Sequence, residues 1–188
     1  MPMSDTAKDS RYLELFPSWL RALGEDATAL GEALGTLAKD ESHAQDVETA
    51  RYVAAGLNYI FKSLDLIPDG IDDLGFLDDA FVIRIAAALA VSAHDGARQG
   101  VLERLANETL AVKEFLGDDY ARLEVYVRGL RKGAARGRTV EDILTDAATR
   151  ETFLQEVAAW GKSYQVPSFT RDMKTLIKLK AFLNAKLS

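Results

Sequence analysis

The sequence contains no cysteine, and only two of its 188 residues are histidines, His43 and His94. The absence of cysteine excludes a disulfide framework, a thiol nucleophile and any metal site with thiolate ligands. The two histidines provide few imidazole groups that can act as bases or nitrogen ligands near neutral pH. If this protein has a chemical site, we therefore expect aspartate oxygen to be its main component.

Proline is also scarce, with four residues in the chain, and runs of β-branched residues that mark strands are few. Apolar residues make up 48% of the sequence and recur at steps of three or four, the spacing of one helix face. We predict an all-α fold, a compact single-domain bundle of six to eight helices spanning residues 1–188. The stretch from about residue 75 to 94 is apolar on nearly every side, which predicts a central helix surrounded by others.

Three local patterns predict where helices begin and end. Pro17 is expected to begin a helix, because proline is tolerated in the first helical turn. Pro68 forbids continuation of the preceding helical pattern, so we expect that helix to end near Leu66. Thr139 and Asp142 have the spacing of a capping box and predict a helix start.

Positive charge is in deficit, with 23 Lys and Arg against 29 Asp and Glu and a net charge of -6. Nucleic acid is therefore an unlikely partner, because its binding depends on a basic surface. The first residues lack the basic start and apolar core of a secretory signal, so a cytoplasmic protein is expected. The longest apolar run, residues 80–93, contains Arg84 and is shorter than the roughly 20 residues that cross a bilayer.

Negative charge is concentrated in one segment, residues 65–79, which we call the acidic turn. Its six aspartates are Asp65, Asp69, Asp72, Asp73, Asp78 and Asp79. Asp72 or Asp73 is predicted to cap the next helix, and Asp78 and Asp79 to lie in its first turn, where the helix dipole favours acids. Apolar residues alternate with these acids and should pull the turn toward the core. Carboxylates buried there must be paired, protonated or bound to a cation.

Two interpretations of the acidic turn remain open. In the first, the aspartates are helix caps and ion-pair partners of Arg84, with Lys62 as a second candidate base. In the second, carboxylates converge on a divalent cation, since hard cations prefer oxygen ligands, or hold a basic segment of a partner. The candidate metal ligands are Asp69, Asp73, Asp78 and Asp79. Their spacing is not that of an EF-hand loop.

The run Asp65-Leu66-Ile67-Pro68-Asp69, followed by Gly75 and by Leu77-Asp78-Asp79, resembles the signature of the bacterial YkvA-like family, also called the DUF1232 domain. The similarity covers residues 52–90. It implies a small helical protein without an established activity, and some members show membrane association. The motif positions that carry over are Asp65, Pro68, Asp69, Gly75, Asp78 and Asp79. The usual form has Ser-Pro at its start and a second proline after the Asp69 position, whereas this chain has Ser63-Leu64 and Asp72.

The last predicted helix, residues 170–187, carries five basic residues and one acidic residue beside a wide apolar face. This pattern is typical of a helix that lies at an anionic membrane surface. Docking of the helix on the acidic body of the same or another chain is the alternative, and we favour it.

The function that these patterns favour is a non-catalytic helical binding or structural module, and its partner could be another protein or a second copy. Cation binding and peripheral membrane association are the alternatives. A hydrolase that uses two aspartates as acid and base is a weaker alternative, because no pattern indicates a cleft. A divalent cation at the acidic turn is the only cofactor considered, and the residues of interest are Asp65, Pro68, Asp69, Asp73, Gly75, Asp78, Asp79 and Arg84.

Overall fold

The fold is a succession of helices in a computed structural model that describes residues 4–39, 44–63 and 65–187. They are α1 (Asp5–Lys39), α2 (Ala44–Tyr59), α3 (Leu77–Ala93), α4 (Gly100–Leu116), α5 (Tyr120–Gly129), α6 (Val140–Thr145), α7 (Ala147–Ser163) and α8 (Met173–Lys186). Two-residue strands, β1 (Ala134–Ala135) and β2 (Arg138–Thr139), pair antiparallel between α5 and α6. The predicted all-α class is confirmed, and His43 and Leu64 lie outside the described residues.

Helix α3 occupies the centre of the fold, as the sequence predicts. It is buried at 14 of its 17 residues and packs against α1, α2, α4 and α5. Gly56 of α2 allows a close approach, because a Cβ atom there would lie 2.7 Å from the Cβ of Ala86. One hydrophobic core includes buried residues from all eight helices described here. A helix that is apolar all round needs such neighbours on every side.

Pro17 lies inside α1 rather than at its start, so the predicted helix boundary is wrong. Tyr12 and Phe16 precede the proline, Trp19 follows it, and all three are buried. The Phe16 ring packs against Trp19 and Phe81, with centroids 5.2 Å away in both cases. Because this aromatic cluster fixes the chain on both sides of Pro17, its packing outweighs the roughly 3 kcal/mol cost of an interior proline.

Helix α2 ends at Tyr59, well before the predicted end near Leu66. The next residues tighten into bonds of the i to i−3 type, in which Phe61 N–H donates to Asn58 and Lys62 N–H donates to Tyr59. The chain then turns back, and the Leu66 N–H donates to the Tyr59 hydroxyl at 2.8 Å. The Tyr59 hydroxyl thus takes the place of a backbone carbonyl as the acceptor for the Leu66 N–H, and α2 ends earlier than predicted.

Helix α8 docks on the body of its own chain. Its buried residues Leu176, Leu179 and Leu183 join the core, and α8 contacts α1. Arg122 donates to the Leu187 carbonyl at 3.0 Å, so the end of the helix is also held. Searched over the described residues, no helix combines the length and the apolar character that a bilayer crossing needs.

Candidate functional site

The acidic turn connects α2 to α3 through a compact backbone path. The Leu74 and Gly75 N–H groups both donate to the Ile71 carbonyl, at 3.2 and 2.9 Å. A Cβ atom at position 75 would overlap the Asp69 carbonyl oxygen, so glycine is required for this close approach. Asp73 has a positive φ of 67° and the helix cap Phe76 one of 66°, and these two left-handed residues turn the chain into α3.

Apolar side chains anchor this turn in the core, as the sequence predicts. The buried anchors include Leu66, Ile67, Leu74 and Leu77. Asp78 and Asp79 lie in the first turn of α3, which confirms their predicted position. The predicted cap at Asp72 or Asp73 is wrong, because the N-cap residue is Phe76 and no side chain caps the helix. Buried apolar contacts rather than a capping oxygen therefore fix the start of α3.

Three aspartates of the turn converge on one point. Asp65, Asp69 and Asp79 each offer a carboxylate oxygen, and these three oxygens lie within 4.8 Å of one another. Asp79 is 1% exposed, Asp65 is half-buried and Asp69 is exposed. The group, which we call the aspartate cluster, therefore reaches from the core to the surface. This geometry suits a cation that enters from solvent and keeps some of its water ligands.

Asp78 lies beside the cluster but has a different set of contacts. Its Oδ2 accepts a hydrogen bond from the Tyr59 hydroxyl at 2.5 Å and one from the Ile67 N–H at 3.3 Å. These bonds fasten the first turn of α3 to the end of α2 and to the start of the acidic turn. Asp78 thus holds the backbone of the turn in place, whereas Asp79 belongs to the aspartate cluster.

Several carboxylate oxygens in this region are buried without a hydrogen-bond partner. They are Oδ1 of Asp65, Oδ1 of Asp78 and Oδ2 of Asp79. Within the described part of the chain, no salt bridge joins Asp65, Asp69, Asp78 or Asp79 to a basic side chain. A buried carboxylate oxygen without a partner carries a desolvation cost that a bound cation or a proton would relieve.

Burial raises the pKa of every member of this group, and for Asp65, Asp78 and Asp79 the charges of neighbouring aspartates add to it. Desolvation, followed by the charge of Asp78, raises the pKa of Asp65 to about 7. Desolvation raises the pKa of Asp78 to about 6, against the lowering effect of the Tyr59 hydrogen bond. The pKa of Asp79 is raised well above its usual range, first by desolvation and then by the charge of Asp78, and burial also raises that of Asp69. Without a cation, the cluster therefore holds protons near neutral pH.

Arg84 does not pair with Asp78 or Asp79, so the first interpretation of the acidic turn is wrong in its main contact. Its guanidinium lies 3.0 Å from Glu108 and 3.6 Å from Asp26, and its plane lies over the Trp19 ring, 4.1 Å from the centroid. The reason is helical geometry: at 100° per residue, Arg84 is about 140° around α3 from Asp79. The two side chains face different neighbours, and Arg84 belongs to a separate buried ion network.

Lys62, the second candidate base, lies at the edge of the site. Its ammonium lies 3.4 Å from the Tyr126 hydroxyl and 5.4 Å from the centroid of the Tyr126 ring. Its positive charge lowers the pKa of Asp65, although less than burial raises it. Lys62 therefore reduces the negative charge at the cluster without neutralising it.

The four predicted metal ligands fall into two groups. Asp69 and Asp79 belong to the aspartate cluster, whereas Asp78 is bonded to Tyr59, and Asp73 accepts a hydrogen bond from Thr170 at 2.8 Å. Asp65, which the sequence marks as a motif position only, completes the cluster. Pro68 is exposed, and its carbonyl accepts from the Ile71 N–H within the turn.

Tyrosines around the cluster were not anticipated from the sequence. Tyr59 contacts Asp78 directly. Burial, and to a smaller extent the charges of the aspartates, raise the pKa of Tyr126 to about 12. Tyr164 is close enough to Asp79 for its pKa to be raised by that charge in addition to burial. These residues come from α2, α5 and the end of α7, so no local spacing connects them to the acidic motif.

Comparisons with protein-family models, with curated proteins and with solved structures found no match for this chain. The resemblance to the YkvA-like family therefore stays a prediction, and what the site does has to be argued from its own geometry.

Proposed function

We propose that this chain is a helical module that binds a divalent cation, with Asp65, Asp69 and Asp79 as its protein ligands. The observation that carries the proposal is the buried Oδ2 of Asp79, which has no hydrogen-bond partner while Asp79 converges with two other carboxylates. An ion-paired structural role would place a basic group at this point, and Arg84, the buried base on the same helix as Asp79, is paired elsewhere.

The chemistry of the ligands favours a hard cation. Mg²⁺, Mn²⁺ and Ca²⁺ prefer carboxylate oxygen, and Mg²⁺ usually keeps several water ligands beside one or two carboxylates. The cluster has no sulfur or imidazole ligand, which are the groups that favour softer metals. The exposed Asp69 leaves one side open to solvent, where water molecules would complete the coordination.

The cation would have a structural effect on the turn. Asp65 and Asp69 lie in the part of the acidic turn that precedes α3, whereas Asp79 lies within α3. One ion bound to all three would join the turn to the central helix and cancel most of their mutual repulsion. We therefore propose binding or cation-dependent stabilisation as the function, rather than catalysis.

Titration of the thermal unfolding midpoint with Mg²⁺, Mn²⁺, Ca²⁺ and Zn²⁺ tests this proposal. At a hundred times the dissociation constant, a single bound cation adds about 2.7 kcal/mol to the free energy of unfolding. We expect a saturable rise of the midpoint for wild type with at least one hard cation. The Asp79→Asn variant should lose that rise.

Asp72→Asn is the matched control, since it removes the same charge from the same turn. Asp72 is exposed and lies outside the aspartate cluster. This variant should respond to cations as wild type does. Flat titrations for all three proteins, or equal responses of wild type and Asp79→Asn, would contradict the proposal.

A further inference from the structure

The hydroxyl of Tyr59 joins two segments that are distant along the chain. It donates a hydrogen bond to Asp78 Oδ2 at 2.5 Å and accepts one from the Leu66 N–H at 2.8 Å. The residue is 2% exposed, so water cannot readily replace either bond. The same Asp78 oxygen accepts the Ile67 N–H at 3.3 Å, which adds a second connection between these segments.

Each end of this connection is adjacent to a ligand of the aspartate cluster. Asp65 directly precedes Leu66, and Asp79 directly follows Asp78. The position of Asp65 relative to Asp79 is therefore set by the contact of Tyr59 with their immediate neighbours. No hydrogen bond joins Asp65 to Asp79 among the described residues, and like charges would push the two carboxylates apart.

We propose that Tyr59 is a positioning residue of the cation site, which holds Asp65 and Asp79 at ligand distance before the cation arrives. This inference rests on the proposed function, because it assigns a role in the same site. Tyr59 is not itself a cation ligand. Its hydroxyl is bonded to Asp78 and Leu66, and it acts on the cluster through them.

Tyrosine suits this role for a chemical reason. A phenol donates and accepts at the same oxygen, and both capacities are used here. Its ring is fixed by edge contact with Tyr126, with centroids 6.2 Å apart. Phenylalanine at this position would keep the ring and remove both hydrogen bonds, so Tyr59→Phe separates positioning from packing.

The test measures Mn²⁺ affinity by electron paramagnetic resonance and calorimetry for wild type and Tyr59→Phe. Loss of residues that orient metal ligands typically weakens metal binding by 10–100-fold, and we expect a loss in that range. Tyr12→Phe is the matched control. Tyr12 is 3% exposed, and its hydroxyl donates to Glu114 at 2.6 Å in a contact between α1 and α4. Tyr12→Phe should lower the free energy of unfolding, while its Mn²⁺ affinity stays within about threefold of wild type.

A second measurement uses the wild-type protein and does not depend on folding of the variant. Saturating Mg²⁺ should slow amide hydrogen exchange at Leu66 and Ile67, because opening of that segment would also release a cation ligand. At a hundred times the dissociation constant, the expected slowing is about 100-fold. The Asp142 amide, which is bonded to Thr139 in the capping box of α6, is the control and should be unaffected.

The outcomes separate this inference from the proposed function. If wild type binds no cation, the proposed function fails, and the role of Tyr59 fails with it. If wild type binds Mn²⁺ and Tyr59→Phe binds it equally well, the site stands and the positioning role is wrong. Unchanged exchange at Leu66 and Ile67 under saturating Mg²⁺ also overturns the positioning role.

Discussion

The raised pKa values of the buried aspartates predict that the cation-free protein loses stability as pH rises from 5 to 8. Each carboxyl binds its proton more tightly in the folded chain than in the unfolded chain. The folded state is thus favoured below the unfolded pKa, and that gain disappears as pH rises through the folded pKa. This direction is opposite to that of an aspartate held in a salt bridge.

The size of the effect follows from Asp78, which is fully buried. Its pKa rises from 3.8 to about 6 on folding. That difference corresponds to about 3 kcal/mol in total, of which roughly half is lost between pH 5 and 8. Asp65 and Asp79 act in the same direction, since burial raises both pKa values.

Urea unfolding in the presence of a chelator, at pH 5 and pH 8, measures this loss. The Asp78→Asn variant keeps an oxygen that accepts the Tyr59 hydrogen bond but has no proton to release. Its stability should therefore fall by at least about 1 kcal/mol less than that of wild type over this interval. The comparison cancels contributions from histidines and from distant acids, and because the charge of Asp78 also raises the pKa values of Asp65 and Asp79, its removal changes the difference in the same direction. A wild-type stability that rises with pH, or falls by the same amount in both proteins, would refute the reasoning.

Three further predictions concern the turn, the buried base and the last helix. Gly75→Ala should lower the free energy of unfolding, measured with urea, by at least about 2 kcal/mol and abolish cation-dependent stabilisation, because the added Cβ would displace the Asp69 carbonyl. Wild-type stability and cation response in this variant would contradict the predicted overlap. Arg84→Leu should lower the free energy of unfolding by about 1–3 kcal/mol, since it removes one of the two basic partners of Asp26 and leaves Arg104 as the other, and the folded protein should keep wild-type Mn²⁺ affinity. The full chain should not sediment with anionic vesicles at low salt, because Leu176, Leu179 and Leu183 of α8 are packed on its own body, which leaves Met173 and Ile177 as the large exposed apolar residues of this helix. Salt-sensitive binding that disappears in a chain ending at Pro167 would instead support the membrane interpretation.

Much of the fold could be predicted because local patterns and tertiary structure agree. The central helix is apolar on all sides and is found at Leu77–Ala93, and the capping box at Thr139 and Asp142 is present. The start at Pro17 was wrong because aromatic packing on both sides outweighs the preference of proline for a helix end. The end of α2 was misplaced because the acceptor for Leu66 N–H is a side chain seven residues earlier.

The site could be predicted only in part. Its aspartates lie in one short segment of the sequence, whereas the contacts that orient them come from residues on other helices. The acidic turn was identified from its composition, and Asp69 and Asp79 were among the candidate ligands. The roles of Asp65 and Asp78 depend on which way each carboxylate points, and Tyr59 decides this for Asp78. Because Tyr59 lies on α2, outside the acidic motif, the spacing of the motif does not indicate its role.

The contrast between Arg84 and Asp79 gives the strongest physical reason to expect a ligand at the aspartate cluster. Both side chains are buried on the same helix, about 140° apart around its axis, so each must find a partner in a different neighbour. Toward Arg84, the fold supplies two acids, Asp26 and Glu108, and an aromatic face. Toward Asp79, it supplies two more acids, Asp65 and Asp69. Because the fold gives one buried charge two partners of opposite sign and surrounds the other with like charge, Asp79 is the place where protons, or the cation proposed above, would balance the charge.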